Sequence, residues 1–133
     1  MIIMKVILDT NFIISAIKNK IQIFEAVNMI PEVEEIVIPL EVLTELEKIE
    51  QDKDSTIEEK EASRLAEFMI KKKNITIVPL GTSNVDAGLL RYCTQNPCII
   101  ATLDRELKGK INNKSPRSKF LIIKEKKTLV LQD

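Results

Sequence analysis

Short β-branched runs alternate with amphipathic helical stretches along this 133-residue chain, and this alternation most constrains its fold. The runs are continuously apolar, which is typical of strands that are covered on both faces. They lie at 5–8, 35–38, 75–78, 98–102 and 120–123, with a last one near 128–131. Because strands that alternate with helices pair through helical crossovers, we predict an α/β fold with a parallel sheet and helices on both faces.

Local signals mark where the helices begin. Pro39 is expected in the first turn of one helix, whose apolar positions include Leu43 and Leu46. Ser55 and Glu58 fit a capping box for the next helix, and Thr82 or Ser83 fits the cap of a later one. Further helical stretches are predicted at 13–29 and 105–111, and a basic surface loop at 112–119.

The length of the chain predicts a single domain over residues 1–133, large enough to fold without a disulfide or a structural metal. No apolar run approaches the ~18 residues of a membrane span, and the N-terminus lacks a signal-peptide cleavage region. Cys93 and Cys98 are read as two buried free thiols, because two cysteines without histidine make a poor zinc site. We therefore expect a cytoplasmic protein.

The chain contains no histidine, which excludes whole classes of mechanism. A serine or cysteine nucleophile activated by imidazole, a histidine general base and a histidine-ligated zinc are all ruled out within this chain. Chemistry must come from carboxylates, Lys, Ser or Thr, Tyr, Cys or a bound metal.

The net charge is zero, yet the charges are unevenly spread. Residues 25–67 contain 14 acids and 4 bases, whereas residues 105–128 contain 9 bases and 2 acids. The basic part is suited to phosphates, although solvated Lys- and Glu-rich helices explain the pattern equally well. The candidate phosphate-binding residues are Lys108, Lys110, Lys114, Arg117 and Lys119.

Two aspartates follow strands of the predicted sheet. Asp9 ends the first strand and Asp104 ends the fourth, and sites in parallel α/β sheets form at the carboxyl ends of the strands. Each aspartate also suits the N-cap of the helix that follows it, so capping is the alternative explanation.

Two further acids can reach the same edge of the sheet. Glu45 lies beside the core positions of its helix, where a surface ladder with Glu41 and Lys48 is the alternative. Asp86 lies in the first turn of another helix, where the helix dipole alone favours an anion. Two carboxylates ~4 Å apart repel by about 4 kcal/mol at an effective dielectric near 20, and a hard divalent cation offsets that repulsion. Oxygen ligands favour Mg²⁺ or Mn²⁺, which points to phosphodiester hydrolysis.

The same segments resemble a known family. The order LDTNFIISA (8–16), IPLEVLTELEKI (38–49), VDAGLL (85–90) and IIATLDRELKGKI (99–111) is similar to that of PIN-domain ribonucleases. The family's acids fall on Asp9, Glu45, Asp86 and Asp104, as catalytic residues and metal ligands. Its supporting polar positions fall on Thr10 or Asn11 and on Thr102. Many members carry an Asp pair where this chain reads Val85-Asp86, so metal affinity is lower here if the missing acid is a ligand.

The resemblance implies a three-layer α/β/α sandwich, with a central, mostly parallel sheet of about five strands. It also implies metal-dependent endonuclease activity on single-stranded RNA, with Mg²⁺ or Mn²⁺ as cofactor. Members act as toxins paired with an antitoxin or as processing nucleases of ribosome assembly, and they often form homodimers. The closing segment 126–131 is more similar to the assembly type, which favours a role in rRNA processing.

Other α/β families fit less well. A haloacid-dehalogenase-type phosphatase needs a second aspartate where this chain has Asn11, and a receiver domain needs one after the third strand, where Pro79 and Leu80 follow. A catalytically inactive PIN-fold module that binds RNA or serves in assembly remains an alternative, since the basic residues bind phosphate with or without catalysis.

Overall fold

The computed structural model describes residues 2–132, so Met1 and Asp133, the ends of the predicted domain, lie outside the described residues. Within that range six strands form one sheet in the order β3-β2-β1-β4-β5-β6. The strands are β1 (Met4–Leu8), β2 (Val33–Pro39), β3 (Thr76–Val78), β4 (Ile99–Ala101), β5 (Lys119–Lys124) and β6 (Thr128–Gln132). The first five strands pair in parallel, which confirms the predicted, mostly parallel sheet.

Helices cover both faces of the sheet. They are α1 (Thr10–Lys18), α2 (Ile23–Asn28), α3 (Leu40–Gln51), α4 (Ile57–Lys72), α5 (Val85–Gln95) and α6 (Arg105–Lys114). Helices α1 to α4 pack with Val6, Leu8 and Ile38 in one apolar core, whereas α5 and α6 pack with Ile7 and Ile100 in a second. The predicted three-layer α/β/α sandwich is thereby confirmed.

The sixth strand runs antiparallel to β5, so the sheet has six strands rather than about five. Glu125 and Lys126 form the turn between the two strands with φ angles of 54° and 61°, and the amide of Lys127 donates to the carbonyl of Lys124. Positive φ at both central positions matches the twist of a tight hairpin. A parallel pairing was excluded here because a crossover needs a dozen or more residues.

The caps of α4 and α5 differ from the predicted ones by one or two residues. Helix α4 has a capping box made by Thr56 and Glu59 rather than by Ser55 and Glu58. Helix α5 is capped by Asn84, whose side chain accepts a hydrogen bond from the amide of Ala87, rather than by Thr82 or Ser83. At these two helices the kind of capping interaction was predicted correctly, whereas the capping residue was not.

Two smaller predictions can also be compared with the structure. Cys93 and Cys98 are buried free thiols, as expected, with their sulfur atoms 3.5 Å apart. Helix α6 continues to Lys114, so the predicted loop at 112–119 is reduced to residues 115–118. No helix within residues 2–132 combines the length and the apolar character needed to cross a membrane.

Helices α3 and α4 bring two glutamates together at their contact. A hydrogen bond between the carboxyls of Glu67 and Glu50 lowers the pKa of Glu50, which also accepts from Arg64 at 3.2 Å. Burial and the neighbouring Glu50 raise the pKa of Glu67 from 4.5 to about 7. In the folded protein Glu67 therefore carries the proton that the two carboxyls share, up to a pH of about 7.

This pair makes stability depend on pH. Between pH 4.5 and about 7 the folded chain keeps a proton on Glu67 that the unfolded chain has released, so stability falls as pH rises through this window. Glu67→Gln should remove that fall and raise the melting temperature most above pH 7. Thermal melts from pH 5 to 8 check this, with Glu61→Gln on the same helix as the control. A Glu67→Gln profile parallel to that of the wild type would contradict the shared proton.

Candidate active site

The site begins where β1 and β4 end side by side. Leu8 pairs with Ala101 in the sheet, and the amide of Asp9 donates to the carbonyl of Ala101 at 2.9 Å. Because β2 lies on one side of β1 and β4 on the other, the chain reverses its direction of winding at this point. Such a reversal opens a crevice at the carboxyl edge of a parallel sheet.

Asp9 is held by hydrogen bonds to both of its carboxylate oxygens. Its Oδ1 accepts from the amide of Thr10 at 2.8 Å, and its Oδ2 accepts from the hydroxyl of Thr102 at 2.9 Å. The Thr102 oxygen in turn accepts from the amide of Asp104 at 3.2 Å. The Thr102 hydroxyl therefore connects the two aspartates that follow β1 and β4.

Glu45 is joined to the same group through Thr10. The hydroxyl of Thr10, in the first turn of α1, donates to Oε1 of Glu45 at 2.7 Å. Glu45 lies half-buried in the second turn of α3, which begins directly after β2. The side chain of Asn11 is exposed, so of the two candidates next to Asp9 it is Thr10 that contacts an acid.

Asp86 and Asp104 complete the group from the other face of the sheet. Asp86 is exposed in the first turn of α5, and Asp104 caps α6 by accepting from the amide of Leu107 at 3.0 Å. The carboxyls of Asp86 and Asp104 are hydrogen-bonded to each other. Four acids from four different elements thus lie at one edge of the sheet.

The electrostatics of the site follow from this crowding. Burial raises the pKa of Asp9, the bonds from Thr102 and Thr10 oppose that rise, and the charges of Glu45 and Asp86 add to it. Partial desolvation of its carboxyl raises the pKa of Asp86 although the residue is largely exposed, and the charge of Asp104, the hydrogen bond between them and the charge of Glu45 add to the rise. The four carboxylates therefore repel one another, which a cation would relieve.

The donor set fits a hard divalent cation in chemistry. All four side chains offer carboxylate oxygens, and their mutual repulsion leaves negative charge uncompensated at the site. Within the part of the chain that the structure describes, no three Asp, Glu or Cys side chains form a group that could hold a metal ion by themselves.

Asp9 and Asp104 each cap a helix and also belong to the group of acids. Asp9 caps α1 and Asp104 caps α6, each through one carboxylate oxygen. The other oxygen of Asp9 accepts from Thr102, while the carboxyl of Asp104 also contacts Asp86. Capping therefore orients both side chains without removing them from the cluster.

Glu41 has a partner that the sequence did not suggest. A surface ladder with Lys48 was the local interpretation, but the carboxylate accepts hydrogen bonds from the backbone amides of Leu80 and Gly81. The only local signal was that Glu41 and Glu45 lie one helical turn apart and share a face.

The basic residues lie on α6 and beyond it. Lys110 is close enough to lower the pKa of Asp86 by its charge, and it pairs with Glu106 at 3.4 Å. Lys114 is exposed at the end of α6, and Lys108 is half-buried in the same helix. Arg117 is exposed in the 115–118 turn, and Lys119 begins β5. We refer to these five residues together as the basic strip, of which Lys110 lies beside the acidic site.

The 115–118 turn that carries Arg117 is anchored in the interior. The hydroxyl of Ser115 donates to the carbonyl of Cys93 at 2.9 Å, and Ser118 accepts from the amide of Cys98 at 3.2 Å. Both serines are buried. The turn therefore presents its basic side chain from a fixed backbone.

Comparisons with known proteins can be set against this geometry. A family model described as a PIN-like domain matches residues 6–120. The solved structure of the PIN domain endonuclease Utp24 is similar, with a TM-score of 0.75 and 26% sequence identity, over 96% of this chain and 90% of that chain. No curated protein gives a significant match to this sequence.

The repulsion at the site gives a test of the metal-free protein. Asp86→Asn should raise the melting temperature in chelator at pH 7, because the folded state holds the charged aspartate unfavourably. Since the folded pKa is raised, the gain should shrink as pH falls toward the ordinary value of 3.8. Differential scanning calorimetry between pH 4 and 7 measures this.

Glu58→Gln, in the first turn of α4, removes an exposed charge of the same sign and serves as the control. A destabilised Asp86→Asn variant at pH 7 would show that the helix dipole outweighs the repulsion.

Proposed function

Since this chain belongs to the PIN-like domain family, we propose that it is a metal-dependent endoribonuclease that cleaves single-stranded RNA. The observation that carries the proposal is that four carboxylates, two that follow β1 and β4 and two on α3 and α5, lie near enough at one edge of the sheet to influence one another by hydrogen bonds and charge. The endonuclease activity of Utp24 supports the reaction class. The four acids are Asp9, Glu45, Asp86 and Asp104.

In this proposal the four acids hold Mg²⁺ or Mn²⁺. The bound ion supplies Lewis acidity toward water and toward the scissile phosphate. Thr102 and the amide of Thr10 orient the carboxylate of Asp9, and the hydroxyl of Thr10 orients Glu45. Lys110 stands beside Asp86, where a cation attracts the phosphate backbone of RNA.

Removal of one acid tests the enzyme. Asp9→Asn keeps the size of the side chain and one of its two acceptor oxygens but removes a charge, so cleavage of single-stranded RNA should fall by about 100-fold or more. Cleavage should also require Mg²⁺ or Mn²⁺ and stop in excess chelator. A gel assay with end-labelled RNA measures both effects.

Glu58→Gln should cleave RNA as the wild type does, because it lies outside the acidic group. Circular dichroism should show that Asp9→Asn remains folded. Equal cleavage by Asp9→Asn, or cleavage that persists in chelator, would refute the proposed mechanism.

We propose that the basic strip on α6 and the 115–118 turn holds the RNA backbone. Simultaneous replacement of Lys114 and Arg117 by Gln should weaken RNA binding and flatten its salt dependence, by about 0.7 in log–log slope for each lost contact. Fluorescence anisotropy in chelator measures binding without cleavage.

A double Lys53 and Lys60 to Gln variant removes the same charge from the acid-rich part of the chain and should leave the slope unchanged. An unchanged slope in the Lys114 and Arg117 variant would show that these side chains are solvated surface residues that do not contact the RNA.

We favour a processing role in ribosome assembly over that of a toxin with an antitoxin partner, because the closing segment resembles assembly-type members. We treat residues 1–133 as one nuclease domain that acts in the cytoplasm, and a homodimer as its expected assembly. A non-catalytic RNA-binding or assembly module is the second candidate. It is favoured by one observation, the lack of a ready three-ligand group within residues 2–132.

A further inference from the structure

Glu41 contacts a loop that is distant in sequence. It lies in the first turn of α3, one helical turn before Glu45, and is half-buried. Its Oε1 accepts from the amide of Leu80 at 2.9 Å, and its Oε2 accepts from Leu80 at 3.2 Å and from Gly81 at 3.1 Å. A carboxylate that receives backbone amides through both oxygens is fixed in position and orientation.

The same loop, residues 79–84, is held from the side of α5. The guanidinium of Arg91 donates to the carbonyl of Leu80. Gly88 lies directly beneath the loop, since an added Cβ would be 2.8 Å from Cγ2 of Thr82 and 2.9 Å from Cβ of Leu80. The backbone of α5 therefore approaches the loop more closely than any side chain at position 88 allows.

The 79–84 loop leads straight into the helix start that carries Asp86. The hydroxyl of Thr82 accepts from the amide of Asn84 at 3.2 Å, and the side chain of Asn84 accepts from the amide of Ala87 at 3.0 Å. Asp86 lies between these last two residues. The position of the loop therefore determines where the first turn of α5, and its carboxylate, lies.

We propose that Glu41 is a positioning residue for the acidic site, which acts through the 79–84 loop to set Asp86 relative to Glu45. The inference rests on the proposed function, because it assigns a use to the relative position of two of the four acids. Helix α3 carries Glu45 on the same face as Glu41, so a single rigid helix supports one acid directly and another through the loop. The backbone amides also lower the pKa of Glu41, as expected for hydrogen bonds to the charged form.

Through Glu41 the 79–84 loop connects elements on opposite faces of the sheet, because α3 covers one face and α5 the other. The 79–84 loop passes from the end of β3, at the edge of the sheet, to α5. The hydrogen bonds that Glu41 accepts from Leu80 and Gly81 connect this loop to α3.

The test compares Glu41→Ala and Glu41→Gln with the wild type in two measurements. In the first, Mn²⁺ is titrated by isothermal calorimetry, and Glu41→Ala should weaken binding by about 10- to 100-fold. Glu41→Gln retains one carbonyl acceptor and should lose less. Glu58→Gln, an acid at the matching first turn of α4, should bind Mn²⁺ as the wild type does.

The second measurement uses amide NMR spectra of the metal-free proteins. In Glu41→Ala the signals of Leu80 and Gly81 should shift, and the change should extend to Asp86 and Ala87. Gly88→Ala forces the loop away from α5 and should perturb the same amides from the other side.

Each outcome decides the proposal. Shifts confined to Leu80 and Gly81, with Mn²⁺ affinity unchanged, would show that Glu41 only stabilises the loop and would overturn the inference. If the wild type binds Mn²⁺ but cleaves no RNA, the proposed function fails and the Glu41 inference is judged by affinity. If the wild type binds no Mn²⁺, the proposed function also fails, and the NMR signals of Asp86 and Ala87 alone decide.

Discussion

The buried carboxylate of Asp9 is the group around which the rest of the site is arranged. Only 9% of this residue is exposed, and burial of an unpaired carboxylate is costly. The amide of Thr10 and the hydroxyl of Thr102 offset part of that cost, but the pKa of Asp9 remains raised. The chain thus keeps a carboxyl group at the junction of β1, α1 and β4, where an apolar side chain would avoid this desolvation cost.

Topology explains why the other three acids reach Asp9. Parallel strands present their carboxyl ends at the same edge, and β1 and β4 are neighbours although they lie more than 90 residues apart in sequence. Helix α3 begins at that edge because it follows β2, and α5 begins there because it follows β3 and the 79–84 loop. Single hydrogen bonds then hold two of the acids in place, from Thr102 to Asp9 and from Thr10 to Glu45. A site built from four elements depends on the fold as a whole, and its repulsion lowers the stability of the metal-free fold.

The sheet and the first and last acids were predictable, because apolar runs followed by Asp9 and Asp104 are local patterns with a known place in parallel sheets. The positions of the caps on α4 and α5 were not predictable. Ser55 with Glu58 and Thr56 with Glu59 have the same spacing, so the choice depends on the packing of α4 against α1 and α3 rather than on local sequence. The direction of β6 was readable from its short connection to β5. The contact of Glu41 with Leu80 joins residues 39 apart, and no local pattern encodes it.

The central claim is that Asp9, Glu45, Asp86 and Asp104 together hold a divalent metal ion. The most direct measurement is the anomalous difference density of crystals grown with Mn²⁺. The account predicts an anomalous peak at the carboxyl edge of β1 and β4, in contact with Asp9 and at least one other of the four acids. It also predicts that the peak disappears in Asp9→Asn crystals. Density that shows the four carboxylates with no manganese among them, at Mn²⁺ concentrations that support RNA cleavage, would contradict it.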